Sequence, residues 1–183
     1  GGRSQRVLTT SPTNPSIALT YTSFGAWNFD SADRTTTDPQ ITDWHFFYFG
    51  IPTPLANIPL AGGAHYAGVA QGVLFDQDLT HDLRGTMQLD ADFATGGIGT
   101  TLTLAAFDRA SSGRFDLPLL SGTATISTTT GHFVGKFTTP DNSYVGSVYG
   151  AFFGPVANEV GYSFGINSPD LTRIGGGVAV GKQ

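Results

Sequence analysis

The chain contains no cysteine, and it is almost free of glutamate and lysine. The first absence excludes disulfide frameworks, zinc–thiolate sites and cysteine nucleophiles. Glu159 is the single glutamate among 14 acidic residues, and Lys136 and Lys182 are the lysines among nine basic residues. Because these long side chains normally coat exposed helices, their scarcity excludes a helical bundle. No apolar run approaches the roughly 20 residues that a membrane-spanning helix needs.

Charge of either sign is also scarce, at 13% of the 183 residues. With a net charge of -5, the chain has no excess of basic residues to form the stripe that nucleic-acid binding requires. We therefore expect no nucleic-acid partner. Aromatic residues make up 12% of the chain, which argues against intrinsic disorder. The length is that of one ordinary domain, or of one domain with a short appendage.

Apolar and polar residues alternate with period two over much of the chain, which is the pattern of antiparallel strands with one wet face. The alternation is cleanest where Leu83, Met87 and Leu89 face one way and Arg84 and Gln88 face the other. Short turns separate the strands. The pattern predicts strands over 64–75, 83–93, 98–107, 119–127, 132–138, 144–153, 160–166 and 176–180.

Glycines recur inside these predicted strands, at positions 68, 72, 85, 135, 146 and 150. An interior glycine weakens a strand unless it serves sharp coiling or close backbone approach, as at barrel corners. We therefore predict an all-β fold, an antiparallel closed β-barrel of about eight strands over 64–183. An eight-stranded barrel has an interior that side chains fill or that holds one small ligand.

Residues 1–63 are predicted to add an arm and handle-like strands to this barrel. The polar stretch 1–16 indicates an arm or loop, and the alternation over 17–29 indicates a strand. An Asp-, Thr- and Ser-rich loop spans 30–43, and a proline-rich loop with one short helical turn spans 51–63. The acidic segment 76–82 is predicted to be a turn, and it is a weak candidate for calcium because it lacks the EF-hand pattern.

The segment 150–164 indicates a barrel corner. Phe152 and Phe153 point to opposite faces, and Gly154-Pro155 ends the strand because proline cannot donate to the ladder. A single helical turn is predicted over 156–159. Glu159 can then accept backbone N–H groups or an arginine and fix the corner.

This segment, GAFFGPVANEVGYSF, resembles the barrel-closing motif of the transferrin-binding protein B-like β-barrel family. Three further segments resemble strands of the same family, in the expected order: AHYAG at 64–68, LDADF at 89–93 and GHFVG at 131–135. The glycine-rich strand 175–182 resembles the family's last strand. Tyr162 departs from the pattern, since the family often has a second glycine there.

The resemblance implies a bacterial surface lipoprotein or solute-binding barrel, anchored to the outer membrane or extracellular. It implies non-enzymatic binding, with a host protein or an iron or haem carrier as the partner and outer-membrane export machinery as a further possible partner. The barrel is not expected to span the membrane itself. Two alternatives stay open: a structural or adaptor barrel with a filled interior, and a small-molecule carrier with an open lumen.

The aromatic run at 44–49 is the predicted recognition surface, because aromatic side chains dominate interface energetics. The alternative is that both of its faces are buried. Haem is a second possibility, with His45 as the iron ligand. His65 cannot share one metal with its neighbour Tyr66, because adjacent strand residues point to opposite faces. The binding candidates are Trp44, His45, Phe46, Phe47, Tyr48 and Tyr66.

Catalytic motifs are missing from the sequence, and no metal site is predicted. There is no Gly-x-Ser-x-Gly elbow and no His-Glu-x-x-His motif. Asp90 and Asp92 share one strand face and could pair as glycosidase carboxylates. Their alternation with other polar residues favours a solvated outer face instead.

Overall fold

The computed structural model describes residues 3–8, 17–30, 42–77, 79–109 and 112–183. Twelve strands are present in these ranges, with one short 3-10 helix at Leu55–Asn57. The strands are β1 Arg3–Leu8, β2 Thr22–Asp30, β3 Thr42–Gly50, β4 Gly63–Asp76, β5 Leu79–Asp92, β6 Gly97–Asp108, β7 Arg114–Asp116, β8 Leu120–Ile126, β9 Phe133–Thr138, β10 Val145–Phe153, β11 Glu159–Asn167 and β12 Arg173–Lys182. Within the described ranges, no helix is long and apolar enough to cross a bilayer.

Eight strands close into an antiparallel barrel, which confirms the predicted fold class. Their order is β5-β4-β12-β11-β10-β9-β8-β6, and β6 pairs with β5 to complete the ring. The seam joins the first and last barrel strands, β4 and β12, over ten residue pairs. The short strand β7 adds to one end of β6.

The barrel interior is filled by apolar side chains from all eight strands. Phe152 is fully buried there, with its ring centroid 5.4 to 5.9 Å from those of Phe93, Phe133 and Tyr66. Leucine and methionine side chains on β4, β5 and β6 complete the packing: Leu74, Leu83, Met87, Leu89, Leu102 and Leu104. The alternation seen in the sequence is thus the alternation between this core and the outer surface.

The interior glycines allow neighbouring strands to coil closely, as the sequence predicts. A Cβ atom at Gly68 would lie 1.9 Å from the carbonyl oxygen of Val180, and one at Gly85 would lie 1.8 Å from that of Thr103. Both contacts are with backbone, so a larger residue at either position would push two strands apart.

A three-stranded sheet of β1, β2 and β3, hereafter the handle, packs on the outside of the barrel. A second apolar cluster forms the joint between them. It joins Ile17 and Phe24 of the handle region to Val69, Val178 and Val180 on the outer face of β4 and β12. Phe46 and Tyr48 pack against the same cluster.

Two predictions for the N-terminal region need correction. The polar stretch 1–16 contains strand β1, which pairs with β2, whereas we expected an arm or loop. The strand predicted over 17–29 begins only at Thr22. Just before this start, the backbone N–H groups of Thr20 and Tyr21 donate to the Glu159 carboxylate. Most of the predicted loop 30–43 lies outside the described residues.

Two predicted turns also differ from the structure. The acidic turn 76–82 is shorter than predicted, because β4 runs through Asp76 and β5 begins at Leu79. Arg173 on β12 pairs with Asp76 and extends the ladder to this point. The segment after Phe153 forms turns instead of a helical turn, because Gly154 and Ala157 have φ values of 87° and 58°.

Candidate binding surface

The predicted aromatic recognition segment lies on β3, and its side chains divide between the two faces of the handle. Along the strand, Trp44, Phe46 and Tyr48 point to one face, and His45, Phe47 and Phe49 point to the other. Phe46 and Tyr48 face the barrel, as their contacts with the joint cluster show. The opposite set faces away from the barrel: His45, Phe47 and Phe49.

The barrel-facing set fixes the handle to the barrel. Tyr48 meets the ring of Phe153 edge-on, with centroids 5.9 Å apart, and its hydroxyl lies 3.5 Å from the carbonyl oxygen of Tyr149. Burial, with a smaller contribution from Tyr149, raises the pKa of Tyr48 to about 12. Trp44 stacks on Phe46 and lies 4.1 Å beneath the guanidinium of Arg109. These three residues are therefore structural on the side that faces the barrel.

The outward side chains form an exposed aromatic surface with a residue from β2. Trp27 and Phe47 meet edge-on, with centroids 5.6 Å apart, and Phe49 lies 5.9 Å from Phe47. Trp27 is 41% exposed and Phe49 is 46% exposed. We call Trp27, Phe47 and Phe49 the outer aromatic patch. His45 is exposed on the same face and is the cross-strand partner of Trp27.

Gly25 allows the centre of this patch to lie flat on the sheet. It is the cross-strand partner of Phe47, and a Cβ atom there would lie 2.8 Å from the phenylalanine ring. The ring therefore covers the backbone of β2, which fixes its position with little remaining freedom.

Glu159 connects the chain entering the handle to the barrel corner. Its buried carboxylate accepts the backbone N–H groups of Thr20, Tyr21 and Thr22 at 2.6, 2.9 and 2.7 Å. Hydrogen bonds to an ionised acceptor are the stronger kind, and three of them here converge on one side chain. Lys182, the cross-strand partner of Glu159, donates to the carbonyl oxygen of Ala18 at 3.1 Å. We call this arrangement the Glu159 clamp.

The other predicted corner residues lie around this clamp. Phe152 fills the barrel and Phe153 packs outside it against Tyr48, as the alternation indicated. Gly154 adopts a φ of 87° directly before Pro155, and its N–H donates to the carbonyl oxygen of Ile51. The corner thus joins the chain that leaves β3 to the end of β10.

Tyr66 lies far from the outer aromatic patch, inside the barrel. It is fully buried, and its hydroxyl donates to the carbonyl oxygen of Ala157 at 2.6 Å. Burial raises the pKa of this hydroxyl to about 12. A partner that stays outside the barrel cannot contact it. His65 points the other way, as expected, and pairs with Asp90 on the exposed face at 2.7 Å.

Three comparisons relate this architecture to known proteins. The chain is 29% identical to transferrin-binding protein B of Haemophilus influenzae strain 86-028NP over 173 residues, which cover 85% of this chain and 26% of that protein. A transferrin binding protein B variant from Haemophilus parasuis Hp5 superposes with a TM-score of 0.66 and 20% identity, over 100% of this chain and 38% of that one.

Two further structures share the fold at lower TM-scores. Transferrin binding protein B of serogroup B Neisseria meningitidis gives a TM-score of 0.60 at 22% identity, covering 90% of this chain and 31% of that chain. The N-lobe of lactoferrin binding protein B from Moraxella bovis gives a TM-score of 0.54 at 15% identity, covering 100% of this chain and 80% of that chain. The chain therefore shares the β-barrel fold of these transferrin- and lactoferrin-binding proteins. No protein-family model matches it, and it spans about a quarter of the curated relative.

The sequence alone did not reveal Trp27 as a member of the outer aromatic patch. The alternation on 17–29 placed Trp27 on a strand face, but nothing local to β2 shows that this face looks outward beside Phe47. The cross-strand register of β2 and β3 supplies that information. Within the residues that the structure describes, no group of three or more His, Asp or Glu side chains could hold a metal ion.

Proposed function

We propose that the chain is a non-enzymatic binding module, displayed on a bacterial surface or released outside the cell, that recognises a host iron-carrier protein of the transferrin or lactoferrin class. The relatives are named for binding transferrin or lactoferrin. The observation that carries the proposal is the outer aromatic patch on the handle. Attachment to the outer membrane through a lipid anchor is the localisation that the family resemblance favours.

The outer aromatic patch has the composition of an interaction surface. Tryptophan and other aromatic side chains are enriched at binding hot spots, where they provide large contact area at a small cost in conformational entropy. The joint cluster already fixes the handle to the barrel through the opposite face of the sheet. The outer aromatic patch is therefore not needed to hold the handle in place. A rigid aromatic surface on a docked sheet is therefore available to a protein partner.

The proposal is tested by binding mammalian transferrin and lactoferrin to the immobilised chain. We expect one of them to bind, and we expect Trp27→Ala with Phe47→Ala to weaken that binding at least about tenfold, the loss typical of two hot-spot residues. Leu60→Ala is the matched control, because Leu60 is an exposed apolar residue outside the patch. Its affinity should equal that of the parent chain.

Two results would count against the proposal. Failure of the parent chain to bind either carrier contradicts the function. Parent-like binding by the double variant, with circular dichroism showing that it is folded, contradicts the patch as the contact site.

The filled barrel interior agrees with the alternative of a structural or adaptor barrel, whereas the other two alternatives fit less well. A small-molecule carrier needs an open lumen, whereas aromatic and aliphatic side chains fill this barrel. A haem site needs walls against both faces of the macrocycle, whereas His45 lies on one exposed sheet face beside Trp27. The exposed setting of His45 beside Trp27 therefore supports a protein partner over haem.

A further inference from the structure

A second surface feature lies on the outer face of β4, β5 and β6, beside the handle. The strand register places Gln71, Arg84, Ala105 and Asp116 in one cross-strand row. The neighbouring row contains Asp82, Phe107 and Arg114. A groove of about 420 Å³ runs over these rows, and it also includes Thr86 and Thr103.

Two arginines share one aromatic ring in this groove. The guanidinium carbons of Arg84 and Arg114 lie 5.3 and 5.5 Å from the ring centroid of Phe107. Their side chains are 46% and 57% exposed. Stacking on a ring limits the freedom of a guanidinium while leaving its in-plane N–H groups available. The arrangement places two cationic forks around one ring at the surface of a chain with a net charge of -5.

The carboxylates nearby leave donor capacity on both arginines. Asp82 is held by Arg109, whose Nε lies 2.7 Å from Oδ1. Arg84 approaches the other oxygen of Asp82 at 3.5 Å, beyond the usual length of such a hydrogen bond. Arg114 contacts Asp116 through Nη2 at 2.7 Å. Since each guanidinium carries five N–H donors, several remain for an incoming acceptor.

We propose that this groove binds a carboxylate group of a partner, held between the guanidinium groups of Arg84 and Arg114 with Phe107 as their platform. Planar, bidentate recognition of carboxylate is the chemistry for which arginine is suited. The carboxylate is that of an Asp or Glu side chain on a protein partner, in keeping with the protein recognition proposed above. The site lies on the barrel, so it stands whether or not the outer aromatic patch is the main contact surface.

Nuclear magnetic resonance of the folded chain tests this site directly. The probes are an acetylated tetra-aspartate peptide and sialyllactose, each titrated to about 10 mM, since an exposed site of this kind should bind in the millimolar range. We expect the Nε–Hε signals of Arg84 and Arg114 to shift and saturate with the peptide. Tighter binding of sialyllactose than of the peptide would overturn the assignment to an acidic side chain of a protein. Binding should weaken as salt is added.

Variants separate this site from general attraction of anions. Arg84→Gln, Arg114→Gln and Phe107→Leu should each lower the affinity at least threefold, and Arg84→Lys should lower it as well because it loses the fork. Lys136→Gln is the control, since Lys136 is an exposed cation on β9, outside this groove. An equal loss in that control, or no shift with either probe in the parent chain, would overturn the proposal.

Discussion

The barrel and the handle are both antiparallel sheets, but they are stabilised in different ways. The barrel closes on itself and buries a continuous apolar interior. The handle has two edges and one exposed aromatic face, and it depends on the joint cluster and the Glu159 clamp to stay in place. Closure thus makes the barrel a self-sufficient scaffold, whereas the handle is an added layer whose outer face is free for recognition.

The largest effect is expected in the barrel interior. Phe152→Ala removes the ring that contacts Tyr66, Phe93 and Phe133, and it should lower the free energy of unfolding by about 3 to 5 kcal/mol. Urea unfolding followed by circular dichroism measures this change. Phe49→Ala in the exposed patch is the control and should change it by less than about 1 kcal/mol. Similar losses for the two variants would remove the distinction between the two regions.

A smaller and more local effect is expected at the Glu159 clamp. Glu159→Gln replaces an acceptor-only carboxylate by an amide that faces three N–H donors, which should cost the handle about 2 kcal/mol. Both tryptophans of the chain, Trp27 and Trp44, lie in the handle, so tryptophan fluorescence reports on the handle alone. We expect the fluorescence transition to move to lower urea than the circular dichroism transition.

The exposed variant Asp90→Asn provides the control for the clamp. It should leave the two transitions together, because Asp90 lies on the open surface of β5. If Glu159→Gln shifted the fluorescence and circular dichroism transitions equally, the handle and the barrel would unfold as one cooperative unit. That result would contradict the difference in stability between the two regions.

The smallest effect concerns the joint at alkaline pH. Burial, with a smaller effect of Tyr149, raises the pKa of Tyr48 to about 12 from the ordinary value of 10.0. A raised folded-state pKa means that this contribution to stability is complete below pH 10 and is lost as the pH rises toward 12. Handle stability followed by fluorescence should therefore fall across this window. Tyr48→Phe should reduce the fall, and an unchanged fall would assign it to other groups.

The barrel was more predictable from the sequence than the handle, for a physical reason. Barrel strands such as β5 and β6 have one buried and one wet face, so period-two alternation shows both their type and their orientation. The run 44–49 is aromatic at nearly every position, so its pattern does not show which face of the strand is buried. Which half faces the barrel depends on contacts with β4 and β12, far away in the sequence.

The other missed features also depend on long-range contacts. The chain entering β2 is held by the Glu159 carboxylate, which lies 139 and 138 positions after Thr20 and Tyr21. The alternation on β5 correctly placed Arg84 on the outer face. It could not show that Phe107 and Arg114 meet it there, because strand pairing brings them together.

The seam between β4 and β12 sets an order for assembly. Its residues are separated by about a hundred positions, so the ring cannot shut until the last strand has been synthesised. The handle is synthesised before the barrel, but part of the surface on which it packs belongs to β12. The aromatic strand β3 therefore lacks part of its packing surface until β12 has been synthesised. During that time the growing chain must keep β3 from pairing with another copy of the protein.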